Sequence, residues 1–178
     1  MLSKQKLKAP AVVMYHHTMD SPIGKLMLIG TEDALYGVHF QSGPRPIKAD
    51  KDWVESEKPF KEVMRQLKAY FAGKLKDFDL PLSPQGTEFQ LQVWKTLQTI
   101  PYGKTWSYGR LAKRIKRPDA QRAVGAANGQ NPIPVIVPCH RVIGANGSLT
   151  GFGGGLPIKQ KLLALEGALP GGEQTKLF

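Results

Sequence analysis

Residues 107–144, SYGRLAKRIKRPDAQRAVGAANGQNPIPVIVPCHRVIG, carry the most informative pattern in the chain. Ser107 is a predicted N-cap for a helix that runs to about Lys116, and the Arg-Pro-Asp sequence at residues 117–119 predicts a turn. A second helix is predicted over about residues 120–129. Two short helices joined by a tight turn are typical of a helix-turn-helix motif.

The second of these helices has an unusual composition. Its sequence, AQRAVGAANGQ, is nearly all small residues with one long cation, Arg122. A helix that reads bases in the major groove normally presents several long polar side chains near its start. A helix of small residues can instead bring its backbone close to a narrow groove. Tight packing against another helix explains the composition equally well, and both interpretations stay open.

A reactive segment follows. After Asn131, the run PIPVIVP leads to Cys139, His140 and Arg141. A thiol is a nucleophile only as the thiolate, so it needs a nearby base or a positive field, and His140 and Arg141 are candidates for these roles. A lone cysteine is usually a small buried apolar residue, so the Cys-His pair alone is weak evidence for catalysis.

The segment before the helical pair predicts a helix and a connection. Thr87 and Gln90 have the spacing of a capping box, which predicts a helix from there through Ile100. Residues 80–86, LPLSPQG, have the composition of a linker because they contain two prolines and a glycine.

The first half of the chain predicts strands followed by a helix. Short β-type runs occur at residues 12–17, 25–30 and 34–40, separated by turn signals, which predicts an antiparallel meander. A loop is expected at residues 41–58. Apolar residues then recur on one helical face up to Phe71, and Gly73 ends the pattern. We interpret that stripe as core packing.

Composition excludes several classes of protein. The chain has 178 residues, 41% hydrophobic and 22% charged, which is typical of one or two folded domains. It has no apolar run long enough to span a membrane and no secretory signal pattern. A single cysteine excludes an internal disulfide and cysteine-based zinc clusters, and a reducing, cytoplasmic compartment fits best. No metal site is expected, because His16, His17 and His39 have neither carboxylate nor thiolate neighbours.

The charge distribution suggests a partner. The net charge is +11, and residues 86–169 hold 11 basic and three acidic residues. A surplus of this size on one segment favours a polyanion such as nucleic acid. A soluble basic protein without such a partner is the alternative.

Three consecutive blocks resemble a known family. The string PCHRVIG, preceded by NPIPVIV and followed by GSLTGFGGGLPIKQKLLALEG, resembles the O6-alkylguanine-DNA alkyltransferases, also called methylated-DNA–protein-cysteine methyltransferases. The resemblance covers about residues 86–169. It implies an α+β fold: a small N-terminal α/β domain (1–79, antiparallel strands plus a helix) and a mostly helical domain with a helix-turn-helix (87–169), joined by the linker (80–86). The Pro-Gly-Gly sequence at residues 170–172 predicts a flexible tail (170–178).

The resemblance also implies roles at the reacting centre. Cys139 matches the alkyl acceptor, and His140 matches the base that deprotonates it through a water. Glu166 matches the carboxylate that orients and polarises the histidine. Asn131 matches a hinge residue that braces the cysteine site, and Tyr108 matches the tyrosine that donates a proton to the leaving guanine and helps the nucleotide rotate.

A second set of matches concerns DNA and the base. Arg122 matches the residue that replaces the extruded base in the stack, and Arg141 is expected to be structural. The expected groove contacts are Ala120, Gln121, Ala123, Gly125 and Ala126; the expected base pocket is Val142, Phe152, Gly153 and Gly154, within a loop that covers 152–156. Gly153 stands where some members carry a serine that can bond the guanine O6, so that contact is either absent here or made by a backbone N–H.

The implied activity is repair without a cofactor. The protein is expected to act as a monomer on double-stranded DNA, to bind through the minor groove largely independently of sequence, and to transfer an alkyl group once, irreversibly, from O6-alkylguanine to Cys139. Binding should weaken as salt rises. The alternatives are a non-catalytic binder of alkylated DNA, which would lack the acceptor cysteine, a helix-turn-helix regulator, and a cysteine hydrolase.

Overall fold

The N-terminal half forms a four-stranded sheet in this computed structural model, which describes residues 11–170. The strand order is β3-β2-β1-β4. β1 pairs antiparallel with β2 and β2 antiparallel with β3, as the meander predicted. The strands are β1 (Tyr15–Met19), β2 (Leu26–Gly30), β3 (Leu35–Phe40) and β4 (Val54–Glu55).

Two details of this sheet differ from the prediction. β4 lies inside the predicted loop 41–58 and pairs parallel with β1. Its two residues are exposed and show no alternation, so no sequence pattern marks them. The first strand begins at Tyr15 rather than at residue 12, and Val12 and Val13 are exposed.

Helix α1 (Lys61–Phe71) follows a short 3₁₀ turn, Lys58–Phe60. Its apolar stripe is buried as predicted, with Leu67 and Tyr70 fully inaccessible. The chain leaves the helix through Gly73, whose φ of +73° is in the left-handed region that glycine adopts without strain.

The helical half begins with α2 (Glu88–Leu97). The predicted capping box is present, because the Thr87 hydroxyl accepts the Gln90 N–H while the Gln90 side chain accepts the Thr87 N–H. The helix ends at Leu97 rather than Ile100, which lies in a turn. Trp94 donates its indole N–H to the Ala127 carbonyl at 2.8 Å and so joins α2 to the second helix of the pair.

The predicted helical pair is α3 (Tyr108–Arg114) and α4 (Gln121–Gly129). Ser107 caps α3 by accepting the Arg110 N–H, as expected. α3 ends two residues before Lys116, which has φ of +60° in the turn.

Two further elements position the cysteine segment. The strands β5 (Trp106–Ser107) and β6 (Val142–Ile143) pair in parallel, which places the residues after Cys139 beside the start of α3. Helix α5 (Leu156–Leu165) leads to Glu166 at its C-cap. The sequence patterns predict no helix over residues 156–165. α5 begins at Leu156, the last residue of the loop 152–156 that was expected to cover the base pocket.

Within the predicted linker 80–86, residues 81–83 lie against the open edge of β3. The Leu35 N–H donates to the Pro81 carbonyl, and the Ser83 N–H donates to the Leu35 carbonyl. The domain boundaries stay a prediction, and all of the predicted tail after Pro170 lies outside the described residues. Within residues 11–170, no helix is long and apolar enough to cross a membrane.

Candidate active site

Cys139 begins a 3₁₀ turn, Cys139–Arg141, at the end of the proline-rich segment. Its side chain is buried, and its N–H donates to the Val137 carbonyl at 2.8 Å. Val135 has φ of +73°, a conformation that costs a β-branched residue on the order of 1–3 kcal/mol. The surrounding packing therefore holds the backbone before Cys139 in a strained conformation at Val135.

A cavity of about 310 Å³ opens onto Cys139. The two halves of the chain form it together: β3 and the loop after it contribute from one side, and the end of α4 and the segment 151–153 from the other. Of the expected base-pocket residues, Phe152 and Gly153 line this cavity, and the ring of Phe152 packs on Phe40 at 5.6 Å between centroids.

The other two expected pocket residues lie elsewhere. Val142 is fully buried in β6 and does not line the cavity. Gly154 also lies outside the lining, and a Cβ there would come within 3.0 Å of the Phe40 ring. Gly154 therefore allows the loop to approach Phe40 closely.

Glu166 is the centre of a buried hydrogen-bond cluster. Its Oε1 lies 2.8 Å from His140 Nε2 and accepts from Arg141 Nη2 at 2.9 Å and from the Tyr70 hydroxyl at 2.7 Å. Its Oε2 accepts from Arg141 Nε at 2.9 Å. Burial alone would raise the pKa of Glu166, but His140 and Arg141 outweigh it through charge and hydrogen bonds and lower the pKa to about 2. Glu166 is therefore ionised at neutral pH.

His140 is held so that one ring nitrogen stays available. The contact to the Glu166 carboxylate requires a proton on Nε2, which leaves Nδ1 as the unprotonated nitrogen of the neutral ring. Nδ1 is buried and has no hydrogen-bond partner among residues 11–170. In the neutral ring, this carboxylate-polarised nitrogen of the residue that follows Cys139 is suited to accept a proton.

The surroundings of Cys139 act on its pKa in opposite directions. Burial raises the pKa and is the largest effect, while a hydrogen bond from Asn131 and the charge of Lys159 lower it. The net pKa is above that of an ordinary thiol, so Cys139 needs a base to react as a thiolate.

Asn131 and Asn128 brace the cysteine segment. Asn131 donates to the Val137 carbonyl at 2.8 Å and accepts the Ile133 N–H at 3.0 Å. Asn128, from α4, donates to the Cys139 carbonyl at 3.4 Å. Both asparagines therefore fix backbone on either side of the reactive residue.

The two faces of α4 account for both interpretations of its small residues. Val124, Ala127 and Asn128 are buried against the core. The expected groove contacts Gln121, Ala123 and Ala126 are exposed, as is Arg122, while Ala120 and Gly125 are half-buried. Close packing and an open, small-residue surface thus occur on the same helix.

Tyr108 lies at the junction of α3, α4 and the loop before α5. Its hydroxyl accepts from the Thr150 hydroxyl at 3.0 Å, and a Cβ at Gly125 would touch its ring at 3.7 Å. It borders a second, open cavity together with Gln121, Phe152 and Gly153. The structure thus places Tyr108 next to the loop that borders the Cys139 cavity.

Sequence reasoning missed three residues around the site. Asn128 was one of them, and nothing in its small-residue context marked it. Tyr70 was read as part of an apolar stripe, although its hydroxyl signals a polar contact. Lys159 is fully buried, and its Nζ donates to the carbonyls of Val142 at 2.6 Å and Thr150 at 2.8 Å. A lysine at an apolar helix position was the available signal, and burial lowers its pKa to about 8.

Metal ligands are not grouped in the described part of the chain. Among residues 11–170, no three His, Cys, Asp or Glu side chains lie together so that they could hold an ion. His17 instead pairs with Glu55 at 2.7 Å, and His39 with Gln41 at 3.2 Å.

Two family models match this chain. Residues 14–84 match the 6-O-methylguanine DNA methyltransferase ribonuclease-like domain, and residues 88–168 match the DNA-binding domain of the same family. This chain belongs to the 6-O-methylguanine DNA methyltransferase family. The resemblance found in the sequence and the two-part α+β fold are thereby confirmed.

Individual relatives span nearly the whole chain. The methylated-DNA–protein-cysteine methyltransferase of Methanosarcina acetivorans is 56% identical over 87% of this chain and 99% of its own. That of Mycolicibacterium paratuberculosis is 53% identical over 85% and 91%. A crystal structure of Mycobacterium tuberculosis OGT in complex with DNA superposes with a TM-score of 0.80, at 50% identity over 85% of this chain and 92% of that one.

Proposed function

We propose that this protein is a methylated-DNA–protein-cysteine S-methyltransferase that repairs O6-alkylguanine in double-stranded DNA by moving the alkyl group to Cys139. The observation that carries this proposal is that Cys139, the single cysteine of the chain, lines a cavity and is followed in the chain by His140, which is paired with the buried Glu166. Membership of the family supplies the substrate class.

Proton transfer prepares the nucleophile. Glu166 holds the proton of His140 on Nε2, so Nδ1 takes the thiol proton of Cys139 through a water molecule. The thiolate then attacks the saturated alkyl carbon in line with the bond to O6. The carbon–oxygen bond breaks, a thioether forms on Cys139, and the leaving guanine receives a proton from the Tyr108 hydroxyl.

The product explains why the protein acts once. A thioether carbon has no good leaving group, and no group among those around Cys139 regenerates the thiol. The reaction is therefore stoichiometric, needs no cofactor, and consumes one protein chain for each lesion.

DNA binding is assigned to the exposed face of α4. O6 of guanine is on the major-groove edge of the base pair, away from a helix bound in the minor groove, so the nucleotide must rotate out before Cys139 can reach it. The small exposed residues Ala123 and Ala126 let the helix approach the minor groove, and Arg122 fills the place of the rotated base. The surplus of basic residues over 86–169 supplies phosphate contacts that do not depend on sequence. The protein acts as a monomer in the cytoplasm.

The decisive experiment follows a labelled methyl group. A duplex oligonucleotide with one tritiated O6-methylguanine is incubated with the protein, and label, intact mass and the modified peptide are measured. We expect one methyl group per chain, on Cys139. The Cys139→Ser variant should bind the duplex and take up no label, because a hydroxyl is a far poorer nucleophile. Label on another residue, or more than one turnover per chain, would refute the proposal.

A further inference from the structure

Tyr70 connects the N-terminal half to the reacting centre. It lies on α1, and its hydroxyl donates to Glu166 Oε1 at 2.7 Å across 96 residues of sequence. Both side chains are buried. This is a direct contact between the sheet-and-helix half and the carboxylate that polarises His140.

The ring of Tyr70 is fixed by three aromatic neighbours. Its centroid lies 5.4 Å from that of Phe71, 5.2 Å from that of Phe78 and 6.4 Å from that of Tyr102. Packing of this kind leaves the hydroxyl little freedom beyond rotation of its hydrogen. Burial, and next the charge of Glu166, raise the pKa of Tyr70 well above its ordinary value, so the hydroxyl stays a donor.

The two oxygens of Glu166 accept different numbers of hydrogen bonds. Oε2 accepts one hydrogen bond, from Arg141, whereas Oε1 accepts from Tyr70, His140 and Arg141. Arg141 bonds both oxygens and so holds the carboxylate in place without help. The Tyr70 hydroxyl is therefore not needed to hold Glu166 in position. Its hydrogen bond instead reduces the negative charge on Oε1 that is available to His140.

We propose that Tyr70 is a positioning residue for the transfer reaction: by sharing Glu166 Oε1 with His140, it limits how strongly the carboxylate attracts the imidazole proton and so sets the basicity of His140 toward Cys139. This inference rests on the proposed transfer from Cys139 through His140. The ionisable groups that face Glu166 are Tyr70 from α1, Tyr102 from the turn after α2, and His140 and Arg141 from the 3₁₀ turn.

Tyr102 offers a matched control within the same aromatic cluster. Its hydroxyl donates to the Leu165 carbonyl at 3.3 Å rather than to Glu166, and its ring stacks under the Arg141 guanidinium at 5.7 Å. Tyr102→Phe thus removes the hydroxyl of a half-buried tyrosine and leaves every hydrogen bond of Glu166 in place.

The test is a titration of the thiol in the absence of DNA. The ultraviolet absorbance of the thiolate is followed against pH in the full chain, with the matching Cys139→Ser protein subtracted to remove tyrosine ionisation. Because the chain has one cysteine, the signal belongs to Cys139. Tyr70→Phe should lower the apparent thiol pKa by up to about one unit, since a hydrogen bond to a charged group has about that effect on the pKa of the group itself and the change reaches Cys139 through His140. Tyr102→Phe should leave it unchanged.

The outcomes separate this inference from the proposed function. An unchanged or raised thiol pKa in Tyr70→Phe, or an equal shift in Tyr102→Phe, overturns the role of Tyr70. Glu166→Gln should raise the thiol pKa, and if it does not, the proton path itself fails. A ring-fluorinated tyrosine at position 70 donates a stronger hydrogen bond and should shift the pKa upward, so the inference is tested even if Tyr70→Phe folds poorly.

Discussion

Arg122 is the one long cation on a helix of small residues, and its side chain is exposed at the start of α4. If it replaces the rotated base, its loss raises the free energy of the extruded state by up to a few kcal/mol and leaves the chemistry at Cys139 intact. Arg122→Ala should therefore slow repair of a methylated duplex much more than the reaction with free O6-benzylguanine. Single-turnover rates on the two substrates measure this difference.

Arg117 is the charge-matched control for that experiment. It is exposed in the turn between α3 and α4, so Arg117→Ala removes the same charge without touching the α4 face. Arg117→Ala should weaken duplex binding modestly, and to the same extent for all DNA sequences. If Arg117→Ala slows duplex repair as much as Arg122→Ala, Arg122 acts only through its charge.

The residues of the reacting centre were predictable to different degrees. Cys139, His140 and Glu166 could be named because they lie in two consecutive blocks that resemble the family, and the structure brings His140 and Glu166 into contact. Tyr70 and Lys159 could not be assigned, because their polar contacts reach residues 96 and 17 positions away. A polar group at an apolar position indicates a buried contact, but no local pattern identifies a partner so far away in sequence.

Helix α2 depends on its first turn, where Thr87 and Gln90 satisfy each other's backbone N–H groups. Thr87→Ala removes one acceptor and should lower the free energy of unfolding by about 1 kcal/mol. Urea unfolding measures it. Thr96→Ala is the control, because the Thr96 hydroxyl bonds the Gln92 carbonyl within the helix and caps nothing. Equal losses in the two variants would contradict a capping role.

Elements with their own sequence signals were predicted, and elements defined by tertiary contacts were not. α1 to α3 have apolar periodicity or caps that can be read locally, and α4 follows the Arg-Pro-Asp turn at residues 117–119. β4, β5 and β6 have two residues each, and only pairing with a distant strand makes them strands. α5 was missed because it has a leucine-rich sequence with little polar face and a proline near its start.

The whole molecule gains stability from Glu166 in a pH-dependent way. Its pKa in the folded protein is about 2, against an ordinary value near 4.5. Its contribution is therefore fully present above about pH 5 and is lost as the pH falls toward 2, because the unfolded chain takes up the proton first.

Glu166→Gln tests this at the scale of global unfolding. The stability difference between wild type and variant should shrink by up to about 3 kcal/mol from pH 7 to pH 2, since the folded and ordinary pKa values differ by about 2.5 units. Urea unfolding across that range measures it, with the exposed Glu57→Gln as control. A difference that does not change with pH would show that Glu166 contributes through packing alone.

The pairing of residues 81–83 with the edge of β3 changes how the two halves can be separated. In sequence this segment looks like a place to cut the chain, with prolines and a glycine around it. In the fold, Leu35 exchanges backbone hydrogen bonds with Pro81 and Ser83. A protease needs several residues of unpaired, extended backbone in its cleft. Cleavage at residues 81–83 therefore requires that this segment first detach from β3 by local unfolding.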